Sequence, residues 1–210
     1  MSDIVLYDYW RSSACYRVRI ALALKGVEYR SVPTSLIEGE HKHADYVALN
    51  PQGFVPALAI DGHVLTQSLA IIDYLDAKYP EPKMVSSEAA ARSHTLAQAL
   101  VIAADIHPVN NLRILQYLKN HLGHDQAALD EWYRHWIVEG FTALEAMAPA
   151  DGLFGGDLPN LADVCLVPQM ANARRFDTPP EAFPKLVRID AALTALPAFA
   201  AAHPDRHNPG

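Results

Sequence analysis

The chain has 210 residues, half of them apolar, and a formal net charge of −7. That length suits one large domain or two small ones, with enough apolar residues for a substantial core. An acidic protein repels the phosphate backbone, so the composition argues against nucleic acid as a partner. The sequence has neither a cationic start before an apolar stretch nor a run of about 18 uncharged apolar residues, which predicts a cytosolic protein outside the membrane.

The cysteines and histidines do not form a metal or disulfide pattern. Cys15 and Cys165 lie far apart with no C-x-x-C spacing, which argues against a disulfide framework or a dithiol redox motif and favours a reducing compartment. Short histidine pairs occur at 41–43 and 121–124, with no carboxylate or cysteine at ligand spacing. We therefore predict no metal site.

The first eighty residues alternate between strand and helix patterns. In chain order we predict a strand at 4–10, a helix at 14–25, a strand at 27–34, a short helix ending near 50, strands at 55–60 and 63–67, and a helix at 69–80. Gly26 and Pro80 end helices, Asp61-Gly62 is a strong hairpin signal, and Ser68 is expected to cap the last helix. The order β-α-β-α-β-β-α predicts a thioredoxin-like α/β domain.

The remainder of the chain has helical patterns only. Residues 80–87, "PEPKMVSS", are rich in proline and serine and predict a linker. Helical periodicity follows at 87–121, 125–147, 160–176 and 183–203. Asn160 and Asp163 have the spacing of an N-capping box. We therefore predict a thioredoxin-like domain over 1–82 and an all-α domain over 88–210.

The stretch "WRSSACYRVRIAL", residues 10–22, places two serines and a cysteine where the first strand gives way to a helix. Ser12 or Ser13 can act as a helix N-cap. The same position can hold an anion or a thiolate, because the N-terminal N–H groups and dipole stabilise negative charge. Cys15 can itself be a nucleophile whose pKa the helix lowers. The local sequence leaves these readings open.

Three further features suit a small anionic ligand. Pro56 begins a strand in "FVPAL", which is typical of a strained or cis turn that leaves the preceding backbone groups for a ligand. Gln67 and Ser68 begin another helix, as an anion site or as a simple cap. The charged residues between positions 9 and 27 are all cationic: Arg11, Arg17, Arg19 and Lys25.

Together these motifs resemble the glutathione transferase family. The segment "SSACYRVRIALALKG" is similar to the zeta-class signature Ser-Ser-Cys-x-Trp-Arg-Val-Arg-Ile-Ala-Leu, and the resemblance continues through "ALNPQGFVPAL", "QSLAIIDYL", "IHPVNNLRIL" and "LADVCLVPQMANARRF". It implies the glutathione transferase architecture, with glutathione as the cofactor and a homodimer as the assembly. The signature cysteine falls on Ala14 and its tryptophan on Tyr16, so this chain has no thiol at the signature position, and the nearby thiol is that of Cys15.

The resemblance also implies roles for individual residues of the first half. Ser12 is expected to hold the glutathione thiol as a thiolate, and Ser13 and Cys15 to line the same turn. The positions expected to bind the rest of glutathione are His41 for its glycine end, Val55 and the cis-proline Pro56 for its cysteinyl part, and Gln67 and Ser68 for its γ-glutamyl carboxylate and amine.

The second half contributes fewer positions. His107, Asn111 and Arg113 match residues that face the ligand cleft in the family. Arg11, from the first half, and Arg175 match arginines that grip substrate carboxylates, for which a guanidinium fork is well suited.

The implied activity is glutathione-dependent cis–trans isomerisation of a small dianion, maleylacetoacetate or maleylpyruvate, in the breakdown of aromatic compounds. The thiolate adds to the double bond, the bond rotates, and elimination returns the thiolate. Three alternatives remain: a glutathione transferase acting on α-halo acids, a non-catalytic glutathione-binding module, and a thiol reductase centred on Cys15. The product of a transferase reaction retains glutathione, and a thiol reductase requires the Cys15 thiol.

Overall fold

The computed structural model describes residues 3–209, which divide into two compact units. One unit combines residues 3–83 with 195–209, and the other spans residues 84–194. Along residues 3–209 no helix has both the length and the hydropathy needed to cross a membrane.

The first unit is built on a four-stranded sheet. Its elements are β1 (Val5–Asp8), α1 (Ser13–Leu24), β2 (Arg30–Pro33), α2 (Ala44–Leu49), β3 (Ala57–Ile60), β4 (His63–Thr66) and α3 (Ser68–Lys78). The strand order is β2-β1-β3-β4; β1 runs parallel to β2 and antiparallel to β3, and β4 is antiparallel to β3. This confirms the predicted thioredoxin-like fold, and Asp61 and Gly62 form the hairpin turn with positive φ at both residues.

Helix α1 is buried on almost every side. Val18, Ile20 and Leu22 are fully buried, because apolar residues occupy all faces of the helix rather than one stripe. The helix ends at Leu24, and Gly26 follows with φ +63, a conformation that suits glycine. Because α1 is enclosed in this way, its N-terminal turn is held by packing along the whole helix.

The second unit is helical apart from an isolated bridge between Leu153 and Gly156 among its described residues. Its elements are α4 (Ala89–Leu100), a π-helical turn (Val101–Ile106), α5 (His107–Val109), α6 (Leu112–Leu122), α7 (Gln126–Met147), α8 (Leu161–Arg175) and α9 (Pro184–Thr194). The helical character is confirmed. The range 87–121, where helical periodicity was predicted, contains α4, the π-helical turn, α5 and α6, with a break before α6.

The C-terminal segment belongs to the first unit, whereas the sequence predicted an all-α domain that extends to residue 210. Helix α10 (Pro197–Ala201) lies against α1, and its Phe199 is fully buried. Arg19 Nε donates to the Ala202 carbonyl at 3.1 Å. Helical periodicity indicates that one face is buried but not against which partner, so the domain boundary was misplaced for this segment.

The N-capping box predicted at the start of α8 is confirmed. The Asn160 side chain accepts from the N–H groups of Ala162 and Asp163 at 2.8 and 3.2 Å. The buried Asp163 carboxylate accepts from the N–H groups of Phe154, Gly155 and Asn160 at 3.0, 2.9 and 2.9 Å. Burial raises the pKa of Asp163 to about 6, and these hydrogen bonds oppose that rise. Asp163 thus fixes a loop as well as a helix end.

We expect Asp163→Ala to lower the free energy of unfolding by about 2–3 kcal/mol, because the buried N–H group of Asn160 loses its acceptor, at roughly 1–3 kcal/mol, and the part-buried hydrogen bonds from Phe154 and Gly155 are lost with it. Urea unfolding followed by circular dichroism measures the loss. The matched control is Asp125→Ala, which removes an exposed N-cap with one such bond and costs about 1 kcal/mol. Equal losses in the two variants would contradict this assignment.

Candidate active site

The turn between β1 and α1 carries Ser12 as the N-cap of the helix. The Ser12 hydroxyl accepts from the Cys15 N–H at 3.3 Å, and the Ser12 N–H donates to the Tyr9 carbonyl at 2.8 Å. A hydroxyl has one donor hydrogen besides its acceptor lone pairs, so Ser12 can cap the helix and also donate to an anion. The first turn of α1 contains no acidic residue. The two readings of this serine are therefore compatible.

Cys15 is a core residue. It is fully buried and packs in a cluster with Tyr46, Val55 and Ala57. Its sulfur accepts from the Tyr9 N–H at 3.5 Å. Burial, reinforced by the charge of Asp8, raises the pKa of the Cys15 thiol far above its usual range. The predicted lowering of this pKa is wrong, because desolvation outweighs the helix N-terminus.

The other residues of this turn differ in exposure. Ser13 is buried as the first residue of α1. Arg11 is exposed, and its guanidinium lies 4.6 Å from the centre of the Trp10 ring. A cation over an aromatic face is held in place without losing its charge, so Arg11 presents a positive group one residue before Ser12.

The turn into β3 contains the cis peptide bond between Val55 and Pro56 that the resemblance implied. The preceding Phe54 carbonyl accepts from the Tyr46 hydroxyl at 2.6 Å and from the Asn50 side-chain amide at 2.7 Å. Among residues 3–209, the backbone N–H and carbonyl of Val55 have no hydrogen-bond partner. Since Val55 packs with Cys15, this turn and the start of α1 adjoin.

His41 lies in a short 3₁₀ turn, Glu40–Lys42, that packs against the same region. The Lys42 ammonium donates to the Gly53 carbonyl at 3.1 Å. Gly53 has φ +57, and a Cβ there would lie 2.9 Å from the His41 carbonyl oxygen, so only glycine fits. Burial lowers the pKa of His41, which favours the neutral imidazole. The turn therefore holds His41 close to the cis-proline loop.

The start of α3 differs from the prediction in its cap. Gln67, not Ser68, is the N-cap; it has φ +67, and its side-chain amide donates to the Gln52 side chain at 2.8 Å. Ser68 is the first helical residue and is buried, and its hydroxyl accepts from Arg17 Nη1 at 3.4 Å. Arg17 thus joins α1 to α3. From the sequence, Arg17 was recognised only as one of several cations. Its position among apolar residues of a helix was the one feature that could have indicated a buried arginine.

The candidates of the second unit cluster around α7. Asn111 is the N-cap of α6, and its side-chain oxygen accepts from the Arg113 N–H at 3.1 Å. The break before α6 is held by the Trp132 indole, which donates to the Val109 carbonyl at 3.0 Å, and by the Asn110 amide, which donates to the Tyr133 carbonyl at 3.0 Å. The half-buried His107 begins the short helix before this break, and Arg113 is exposed.

Arg175 ends α8 and is exposed. Its guanidinium lies 4.9 Å from the centre of the Phe176 ring, which stacks on the Tyr133 ring at 3.6 Å. Burial raises the pKa of Tyr133, and the charge of Arg175 opposes that rise. Consecutive residues of α7, Trp132 and Tyr133, therefore support both the turn before Asn111 and the end of α8.

Within residues 3–209, no group of three or more His, Cys, Asp and Glu side chains is arranged to hold a metal ion. The polar groups described above are instead hydroxyls, amides, backbone N–H groups and guanidinium groups. Such donors suit an anionic organic ligand.

Comparisons with known proteins agree with this geometry. The family model described as "Glutathione S-transferase, N-terminal domain" matches residues 2–77. A probable maleylacetoacetate isomerase of Vibrio cholerae is 51% identical over 98% of this chain and 97% of that protein. The holo structure of a maleylpyruvate isomerase, a bacterial zeta-class glutathione S-transferase, matches with a TM-score of 0.94 at 44% identity, over 98% of each chain.

A second solved structure is also similar along its length. A maleylacetoacetate isomerase of Anaeromyxobacter dehalogenans, with dicarboxyethyl glutathione and citrate in its active site, matches with a TM-score of 0.86 at 39% identity, over 98% of this chain and 96% of that one. The resemblance inferred from the motifs is confirmed by these relatives. The chain belongs to the zeta-class glutathione transferases, in the group that includes the maleylacetoacetate and maleylpyruvate isomerases.

Proposed function

We propose that this protein is a glutathione-dependent cis–trans isomerase of maleylacetoacetate-type dicarboxylates. The observation that carries the proposal is Ser12, a serine that caps α1 and retains a hydroxyl hydrogen for a thiolate. The relatives named maleylacetoacetate and maleylpyruvate isomerase support the substrate class. We also propose that the chain acts as a cytosolic homodimer, which the class supports and which light scattering of the purified protein tests.

The first unit offers groups that fit each part of glutathione. The backbone N–H and carbonyl of Val55, which have no hydrogen-bond partner within residues 3–209, suit the cysteinyl part, which carries an amide on either side. The start of α3, with Gln67 and Ser68, provides free N–H groups for the γ-glutamyl carboxylate. His41 lies beside the cis-proline loop, where it can contact the glycine end. These residues would hold the cofactor, and Ser12 would face its sulfur.

Ser12 has to stabilise negative charge on sulfur. The chemistry that glutathione supplies when bound is a nucleophilic thiolate, regenerated at the end of each turnover. A free thiol has a pKa of about 8.5, and lowering it by one unit requires about 1.4 kcal/mol. A hydrogen bond to an ionised acceptor contributes about 1.5–3 kcal/mol, and the helix N-terminus adds about 0.3–1 kcal/mol. Ser12 and α1 are therefore sufficient for this task.

Arg11 and Arg175 are the residues that we assign to the substrate carboxylates. Both are exposed guanidinium groups held over an aromatic ring, and neither forms an ion pair with a described acidic residue. A dianion requires such positive groups, which also stabilise the enolate charge that develops during isomerisation. The dicarboxyethyl glutathione bound by the relative from Anaeromyxobacter carries a group with two carboxylates, which supports a dicarboxylate substrate.

Replacing Ser12 by alanine is expected to reduce kcat at least tenfold and to raise the pKa of enzyme-bound glutathione by about one unit or more, because the hydroxyl donor to sulfur is lost. Steady-state isomerisation and the ultraviolet absorbance of bound thiolate against pH measure the two effects. Ser86→Ala is the control, since Ser86 also accepts a backbone N–H, that of Glu88, at 3.0 Å. A Ser12→Ala enzyme with the rate of the unmodified protein would disprove the assignment.

For Arg175→Ala we expect KM for the dicarboxylate to rise about tenfold with a smaller change in kcat, corresponding to roughly 1.4 kcal/mol of lost binding. The matched control is Arg174→Ala, which removes the neighbouring arginine, paired with Asp190 at 2.6 Å. Kinetics over a range of substrate concentrations separate KM from kcat. If both variants raised KM equally, a specific role for Arg175 would be untenable.

Cys15→Ala tests the thiol reductase alternative. Because the thiol is buried and protonated, we expect most isomerase activity to survive, with a modest loss of stability from the smaller side chain. The measurement is isomerase activity at saturating glutathione beside a thermal melt. Loss of activity in a variant that still melts near the unmodified protein would restore Cys15 as a nucleophile.

A further inference from the structure

Arg19 is a buried arginine on α1 whose contacts extend beyond its own helix. It is among the largest fully enclosed side chains of the protein, at 1% exposure. Its Nη1 donates to both carboxylate oxygens of Asp8, at 2.7 and 2.9 Å. Its Nη2 donates to the Trp10 carbonyl at 3.1 Å, and its Nε to the Ala202 carbonyl at 3.1 Å.

These bonds link the end of β1 and the turn that follows it to the C-terminal segment, which is distant in the chain. Asp8 ends β1, Trp10 lies in the turn that leads to Ser12, and Ala202 follows α10 in the C-terminal segment. A guanidinium is a planar fork that directs its donors along fixed lines. Arg19 therefore fixes the Trp10 carbonyl relative to the strand and to the C-terminal segment at the same time.

The Trp10 carbonyl is close to the proposed chemistry along the chain. Ser12 lies two residues later, and its own N–H is held by the Tyr9 carbonyl at 2.8 Å. The turn is thus tied on one side by Arg19 and on the other by the N-cap bond from the Cys15 N–H. A shift of a few tenths of an ångström at the serine hydroxyl weakens a hydrogen bond to sulfur, since such bonds depend steeply on geometry.

We propose that Arg19 is a positioning residue for the proposed isomerase reaction: it holds the Ser12 hydroxyl where it stabilises the thiolate, using Asp8 and the C-terminal segment as its anchors. The proposal rests on the function proposed above. It assigns the C-terminal segment a part in catalysis although none of the ligand-binding groups proposed above lies in that segment. Arg19 acts through its hydrogen bonds and not through its positive charge, because the carboxylate of Asp8 neutralises that charge.

Arg19→Lys is the main test, because lysine keeps the charge but cannot reach Asp8, Trp10 and Ala202 together. We expect the pKa of bound glutathione to rise by about half a unit to one unit, so that the thiolate fraction at neutral pH falls about three- to tenfold. We expect kcat to fall by a similar factor while KM for glutathione changes less than about twofold. Thiolate absorbance against pH and steady-state kinetics provide these values.

A matched pair of variants covers the case in which Arg19→Lys fails to fold. Asp8→Asn weakens the anchor of Arg19 at the N-terminal end of α1, whereas Asp76→Asn weakens the buried pair of Asp76 with Lys25, 2.7 Å apart, at the other end. Both acids are at least 95% buried. We expect similar losses of thermal stability, but a raised thiol pKa only in Asp8→Asn.

Phe199→Ala in α10 provides an independent test of the C-terminal anchor and should give a smaller rise of the same thiol pKa. The inference is overturned if Arg19→Lys loses stability while the pKa of the glutathione thiol and kcat stay unchanged; Asp8→Asn takes its place if Arg19→Lys does not fold. It is also overturned if Asp76→Asn raises that thiol pKa as much as Asp8→Asn does. An unmodified protein that does not lower the pKa of bound glutathione would instead refute the proposed function.

Discussion

The hydrogen bond from the Cys15 N–H to the Ser12 hydroxyl is the contact on which the proposed chemistry depends. It places the serine oxygen at the N-terminus of α1, where the free N–H groups and the dipole favour negative charge. The helix can provide that site because its own apolar faces are enclosed and its first turn contains no acid. Packing along α1 therefore fixes the position of the Ser12 hydroxyl, and the helix N-terminus provides the favourable electrostatic environment at that position.

Two buried arginines of α1, on opposite sides of the helix, contact the elements around that hydroxyl. Arg17 donates to Ser68 at the start of α3, and Arg19 binds Asp8, Trp10 and Ala202. Burying a guanidinium is costly unless its donors are used, and Arg19 meets that condition with a hydrogen bond from each of its three nitrogens. Both arginines therefore connect α1 to other parts of the first unit.

The sequence predicted the strand and helix order, the hairpin at Asp61-Gly62 and the capping box at Asn160, because each depends on local residue types and spacing. The sequence patterns did not predict the features that depend on packing between residues distant in the chain. The pKa of Cys15 moved opposite to the local expectation once the side chain was buried, and the C-terminal helix joined the first unit. The N-cap position of α3 is Gln67 rather than Ser68, and sequence patterns did not reveal the positive φ of that residue.

The central claim is that glutathione acts as a catalyst held by Ser12 and is not consumed. The most direct measurement is a turnover experiment with the substrate in large excess over glutathione. Maleylacetoacetate and maleylpyruvate are tested in parallel, and the product is followed by nuclear magnetic resonance and mass spectrometry. The proposed function predicts many turnovers per glutathione and a trans product of the same mass as the substrate. Turnover that stops when glutathione is exhausted, with a product that retains it, would contradict the claim and indicate a transferase.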